Sequence, residues 1–149
     1  MVDVLTPAQR TRWAKRNPGK NTKPELTVRS ALHVMGYRYG LHVRTLPGTP
    51  DIVLRKYRTV IFVHGCYWHR HPRCKFTTTP KTRVRRWRGK FAQNIARHRR
   101  VAGLLRELGW QVIVVWGCRL RGAQVQASTL TGLDLQLRAT ASYFSISEK

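Results

Sequence analysis

The longest uninterrupted apolar run outside the C-terminal third is Val60-Ile61-Phe62-Val63, and Ile52-Val53-Leu54 precedes it across the polar turn Arg55-Lys56-Tyr57-Arg58. Two such runs joined by a short polar turn read as a β-hairpin. Apolar runs without alternation suit strands covered on both faces, so Thr59 to Val63 is expected at the centre of a sheet. Gln111-Val112-Ile113-Val114-Val115-Trp116 repeats the pattern and predicts another buried strand. Tyr37 to Val43 alternates enough to predict a further strand, tied to Asp51 by the tight connection Leu46-Pro47-Gly48-Thr49-Pro50.

Elsewhere the period changes to that of a helix. Thr22-Lys23-Pro24-Glu25 combines an N-cap residue, a first-turn proline and an acid at the capping-box position. Val28, Ala31, Leu32 and Met35 follow at helical spacing, and Gly36 ends the helix. A long helix is expected from Arg85 to Leu108, with Trp87, Phe91, Ile95, Ala102 and Leu105 as its apolar stripe and Gly109 just beyond it. Lys75 to Arg83 reads as a loop. The order helix, three strands, long helix, strand predicts an α/β fold with a mixed central sheet. Residues 1–21 read as a polar, basic arm interrupted by Asn17-Pro18-Gly19, and residues 22–121 as the folded domain. Residues 122–149 are low in charge, support only a weak helix or strand, and are expected to be a dispensable tail.

Charge narrows the partner. The chain has 149 residues, 29 Lys and Arg against 6 Asp and Glu, and a formal net charge of +23. The length suits one domain with a real core. The basic residues run from Arg10 to Arg121, so they are not a tail grafted onto a neutral domain, and the partner they fit is nucleic acid. Ten Lys or Arg and no acid lie between Lys81 and Arg106, including Arg85, Arg86 and Arg88, which predicts a phosphate-contacting helix face. Trp13 lies in the basic arm and suits a groove or a base stack. No apolar leader and no membrane-length apolar window occur, so an intracellular, reducing environment is expected. Three cysteines are then better explained as metal ligands than as a disulfide framework.

Three chemistries meet at the hairpin. Cys66, His71 and Cys74, joined by the distant Cys118, offer three thiolates and one imidazole, a closed tetrahedral set for Zn²⁺. Asp51 opens the first hairpin strand and is suited to Mg²⁺, with the Val63 backbone carbonyl aimed at the same ion from the second. His64 and His69 follow as proton-transfer or charge-steadying groups. Glu25 is either the capping carboxylate of its helix or a second acid for the Asp51 site. Tyr67 and Trp68 are wedges between base pairs, with a lid over the cysteine cluster as the other role for Trp68.

Asn21-Thr22-Lys23-Pro24-Glu25, Leu46-Pro47-Gly48-Thr49-Pro50-Asp51-Ile52-Val53, Val60 to His69 and Val115-Trp116-Gly117-Cys118 closely resemble the Vsr family, the very-short-patch mismatch repair endonucleases of bacteria. The resemblance runs colinearly from about Arg10 to Leu120. It implies a restriction-endonuclease-like fold of the PD-(D/E)xK type with a structural zinc. It also implies Mg²⁺-dependent nicking, with two catalytic ions, 5′ to the T of a T·G mismatch left by deaminated 5-methylcytosine. On this likeness Asp51 and the Val63 carbonyl hold the metal, His69 is the general base, and His64 and Glu25 support it. Cys66, His71, Cys74 and Cys118 match the zinc ligands, and Tyr67, Trp68 and Trp87 the aromatics that wedge into DNA. The implied setting is a monomer on duplex DNA in the bacterial cytoplasm, associated with the nucleoid and with mismatch-repair proteins, and with no membrane.

The chain departs from the family pattern at Val63, where some members carry a hydroxyl residue, and at Tyr67, where phenylalanine is common. It also has Trp13-Ala14 where members often carry a DNA-entering methionine. Two other readings stand beside this one: a nuclease of the same fold with another target, restriction-type or mobile-element, and a zinc-stabilised nucleic-acid-binding module without catalysis. A carboxylate placed among so many bases argues against the last.

Overall fold

The structure, a computed structural model, describes residues 6, 8, 9, 11, 12 and 19–147, with side chains up to residue 141. Trp13, and with it most of the basic arm, lies outside the described residues.

The elements follow the predicted order. Helix α1 (Lys23–Val34) starts at the N-cap Thr22, whose hydroxyl accepts the Glu25 N–H at 3.4 Å. Strands β1 (Gly40–Leu41), β2 (Ile52–Leu54) and β3 (Thr59–His64) come next, then a helical turn α2 (Cys66–His69). The long helix α3 (Val84–Glu107), strand β4 (Gln111–Trp116), a 3-10 turn (Gly117–Leu120) and helix α4 (Ala123–Ser147) complete the chain. The strands form one mixed sheet in the order β1-β2-β3-β4, antiparallel except for the parallel β3–β4 pair, which α3 connects.

Both faces of the sheet are covered, which is why its strands read as unbroken apolar runs. Ile52, Leu54, Ile61, Ile113 and Val115 pack against Val28 and Leu32 of α1 and Leu130, Leu133 and Leu137 of α4. On the other face Val53, Val60 and Phe62 pack with Leu105 of α3 and Trp110. The hairpin turn is a 3-10 turn over Arg55–Tyr57, closed by Arg58 in a left-handed conformation at φ 47°.

Two expectations need correction. The strand expected from Tyr37 to Val43 is only Gly40–Leu41, because β2 offers just three residues for pairing and His42 turns left-handed at φ 46° straight after Leu41. Residues 122–149 are not a weak element: they form a long helix through Ser147 whose Leu130, Leu133 and Leu137 lie at helical spacing and are buried. The Tyr37 hydroxyl donates to Asp134, and the Thr140 hydroxyl donates to Gln111 Oε1 at 2.6 Å, so polar contacts also tie α4 to the sheet.

Leu137, on the inner face of α4, is fully buried. Leu137→Ala should cost about 2–5 kcal/mol of unfolding free energy, read from denaturant titration. A loss below about 0.5 kcal/mol, the range of tolerant surface positions, would mean that α4 is a peripheral appendage.

Candidate active site

The pairing register decides which side chains meet at the end of the sheet. β3 and β4 are parallel and His64 lies opposite Trp116, so the residues two steps on, Cys66 and Cys118, leave the sheet side by side. Gly65 caps the turn α2, and the chain then reverses at Arg70, which is left-handed at φ 54°. That reversal brings His71 back under Cys66, and the Thr77 hydroxyl fastens the loop by donating to the carbonyls of Cys66 and His71.

One donor atom from each of Cys66, His71, Cys74 and Cys118 lies within 4.8 Å of the other three. His71 Nδ1 is 3.2 Å from Cys118 Sγ and 3.8 Å from Cys66 Sγ, and its ring is stacked on Trp116 at 4.3 Å. A tetrahedral ion with bonds of about 2.0–2.3 Å to nitrogen and sulfur needs donor separations of roughly 3.3–3.8 Å, so the four residues could hold one with little movement. Burial pushes the Cys118 thiol up to about 12, with Cys66 and Cys74 beside it adding to the rise. A thiol that keeps its proton so firmly becomes thiolate when a cation takes the proton's place.

A broad cleft of about 1160 Å³ opens in front of the hairpin. Glu25, His42, Asp51, Val63, His64 and His69 line it, with Asn94, Arg97 and His98 from α3 on the far wall. Asp51 precedes β2, and its Oδ2 accepts the Val63 N–H at 2.8 Å. Burial raises the Asp51 carboxyl above the usual carboxylate range; the Val63 N–H works against that rise and Glu25 adds to it. An anion held this way gains from a neighbouring cation.

Glu25 caps its helix and also faces the cleft. Its Oε1 accepts from the Thr22 hydroxyl at 3.1 Å, and its Oε2 accepts from the Asn21 N–H at 3.0 Å and from Arg29 Nη2 at 2.9 Å. Oxygen and nitrogen donors of Glu25, His42 and Asp51 lie within 4.8 Å of one another.

His64 and His69 stack face to face with centroids 3.7 Å apart, and His98 meets His64 edge-on at 4.3 Å. Burial, with His69 and His98 nearby, pushes His64 down to about 2. Burial, with His98 and Arg97 nearby, pushes His69 down to about 4. Both rings are therefore neutral near pH 7 and keep a lone pair to accept a proton.

Beside the cleft Tyr67 and Trp68 of α2 cluster with Trp87 and Phe91 of α3, with Tyr67–Trp68 centroids at 5.1 Å and Trp68–Trp87 at 5.9 Å. Trp68 itself borders the cleft. Arg85, Arg86 and Arg88 are exposed on the first turns of α3, around Trp87. The predicted site residues in the described part thus lie in three neighbouring groups, the Cys/His cluster, the cleft and the aromatic group, with Arg85, Arg86 and Arg88 exposed around the last. Arg29, His42 and His98 were not singled out from the sequence. His98 carried a signal, since it continues the helical spacing of Phe91 and Ile95 toward Ala102 as a polar member of an apolar stripe. Arg29 interrupts the stripe of α1 beside Val28 four residues after Glu25, while His42 had no local mark.

Comparison with known proteins gives a consistent picture. The family model for DNA mismatch endonuclease Vsr matches residues 2–75. Type II nicking enzyme V.XorIIP of Xanthomonas oryzae pv. oryzae is 45% identical over 93% of this chain and 96% of its own length. DNA mismatch endonuclease Vsr of Escherichia coli K12 is 40% identical over 83% of this chain and 79% of its own. Type II nicking enzyme V.NmeAIP of Neisseria meningitidis serogroup A is 36% identical over 93% and 98%. No helix among the described residues is long and apolar enough to cross a membrane.

The two stacked imidazoles also set a pH dependence of stability. Folded His69 releases its proton near pH 4, whereas an unfolded histidine does so near 6.5. Between those values the unfolded chain binds the extra proton, so the contribution is present in full above pH 6.5 and is lost as pH falls toward 4. His64 acts in the same direction and extends the window lower. Tm should fall on acidification from pH 7 to 4, and more gently in His69→Gln; equal slopes in the two proteins would contradict the buried, neutral ring.

Proposed function

Because the chain belongs to the Vsr family, and so is a DNA endonuclease, we propose that it nicks one strand of duplex DNA 5′ to the T of a T·G mismatch, as in very-short-patch repair. The observation that carries this reading is the junction of the cleft with the aromatic group Tyr67, Trp68, Trp87 and Phe91. Cleavage alone needs no aromatic cluster at the rim. A protein that must open the stack at a mispair does, since apolar wedges enter where pairing is weakest. The exposed Arg85, Arg86 and Arg88 would hold the phosphates around that wedge, and residues 1–21, with Trp13, would act as a second DNA-contacting arm. In this reading residues 22–121 carry the restriction-endonuclease-like core, and α4 closes one face of the sheet through Leu130, Leu133 and Leu137. The protein acts as a monomer, since a single nick needs one site, and hands the nicked strand to repair proteins.

Asp51 fits a Mg²⁺ ion, and the neighbouring backbone adds to the fit. Continuing the β2–β3 register places Pro50 opposite Val63. The Val63 N–H points to that edge and is taken by Asp51, and in an antiparallel ladder the carbonyl of the same residue points the same way. Proline has no N–H to offer it, so the Val63 carbonyl would be left for a cation. Valine in place of a hydroxyl residue costs nothing in this role, because the main chain does the work. Bound there, one or two Mg²⁺ ions would supply Lewis-acid polarisation of the phosphodiester. The neutral His69 would accept the proton of the attacking water, with His64 stacked behind it to keep its ring in place and Glu25 supporting the Asp51 side of the cleft. We further assign Cys66, His71, Cys74 and Cys118 to one structural Zn²⁺ that pins α2, and with it Tyr67 and Trp68, to the end of β4.

The relatives named as Type II nicking enzymes leave the target open to experiment. With Mg²⁺ and labelled duplexes, a nick is expected only at the T of T·G, not on matched T·A or C·G duplexes, and Asp51→Ala should lower its rate by more than about 100-fold. Cutting of matched DNA would move the reading to a restriction-type nuclease, and tight binding without a nick to a non-catalytic module. Cys118→Ser should release about one equivalent of zinc from the purified protein and lower Tm, as metal binding here is coupled to folding. Unchanged zinc content in that variant would refute the ligand set.

A further inference from the structure

Arg29 is a buried cation with a demanding set of partners. Its residue is 8% exposed, and Nη1 donates to Asn21 Oδ1 at 2.7 Å. Nη2 lies 2.9 Å from Glu25 Oε2 and 2.9 Å from His42 Nε2. Nη2 carries two hydrogens, so each of these contacts takes one. The guanidinium is always charged and only donates. As a hydrogen bond, this contact takes the lone pair of His42 Nε2 and so places the ring hydrogen on Nδ1.

That hydrogen faces the metal side of the cleft. His42 Nδ1 is 3.9 Å from Asp51 Oδ1, the carboxylate oxygen not occupied by the Val63 N–H. The distance is too long for a hydrogen bond here, but such contacts commonly shorten in the working complex. The same logic removes His42 from the ligand set that its proximity to Glu25 and Asp51 suggests. With Nε2 given to Arg29 and Nδ1 protonated, the ring has no lone pair for a cation. The backbone is held to this purpose: His42 adopts φ 46°, and its N–H donates to the Asp51 carbonyl at 3.3 Å.

We propose that His42 is a positioning residue for the nicking reaction: Arg29 locks it as a donor, and its Nδ1–H orients Asp51 so that the remaining carboxylate lone pairs point at Mg²⁺. This rests on the reading of Asp51 as the Mg²⁺-holding carboxylate. An outer partner of that kind orients the ligand without touching the substrate, so its loss acts on turnover and Mg²⁺ demand and leaves DNA binding alone.

Two substitutions suit the left-handed backbone at this position, so the fold is kept: His42→Gly, which removes the side chain, and His42→Asn, whose amide nitrogen can donate from near the place of Nδ1. His42→Gly should lower kcat and raise the Mg²⁺ concentration for half-maximal nicking, together about 10- to 100-fold, with KM for DNA unchanged. His42→Asn should recover most of both. In metal-free native protein, nitrogen-detected NMR should find the His42 proton on Nδ1, and Arg29→Met should release that preference. Equal loss in Gly and Asn, no loss in either, or a proton on Nε2 would each overturn the proposal. Asp51→Ala separates the two levels. If it is inactive while His42→Gly is fully active, only the role of His42 fails. If it nicks like the native protein, the reading of Asp51 fails and the proposal with it.

Discussion

The molecule depends on one strand being paired along both of its edges. β3 is bound antiparallel to β2 on one side and parallel to β4 on the other, and each pairing places chemistry at the same end. The antiparallel side sets Asp51 against Val63. The parallel side sends Cys66 and Cys118 out together. Because strand pairing is a matter of register, a slip of one residue would separate both groups at once and turn the apolar side chains of β3 to the wrong layer. The helices α1, α3 and α4 fix that register by burying alternate residues on opposite faces.

Around this strand the charges are distributed with economy. A chain with 29 cationic side chains and 6 acidic ones keeps two of the acids, Glu25 and Asp51, in the cleft. Glu25 is paired with the buried Arg29 at 2.9 Å, whereas Asp51 receives a main-chain N–H, with the His42 ring 3.9 Å away and Arg29 acting on it from a distance. The cleft thus holds one carboxylate without a direct ion-pair partner of the kind Glu25 has. A polyanion is drawn to the surface as a whole, while a divalent cation is drawn to the carboxylates of the cleft.

Much of this could be read from the residues alone, for identifiable reasons. Thr22, Pro24 and Glu25 announce the start of α1 because capping is local chemistry. The buried strands were legible because covering on both faces leaves no polar alternation to confuse. The tertiary meeting of Cys118 with Cys66 was inferred from chemistry, since three thiols and one imidazole complete a set. What stayed hidden depended on distant partners. Helix α4 has a narrow stripe of three leucines among small polar residues, too weak a pattern to declare itself. His42 gains meaning only when a loop carries it between Arg29 and Asp51, and no neighbour in the chain hints at it. The strand predicted over Tyr37 to Val43 was overextended because alternation reports a compatible sequence, not the length of its partner.

The brevity of β1 has a consequence beyond the site. Sheet edges invite other chains to add strands, and a basic protein in solution is protected from that by repulsion between copies. On DNA the repulsion is lost, since the phosphates neutralise the surface just where copies crowd together. Gly40 and Leu41 offer only two residues of free edge before His42 turns the backbone away. On that side of the sheet, resistance to aggregation is built into the backbone geometry and survives when the charge is gone.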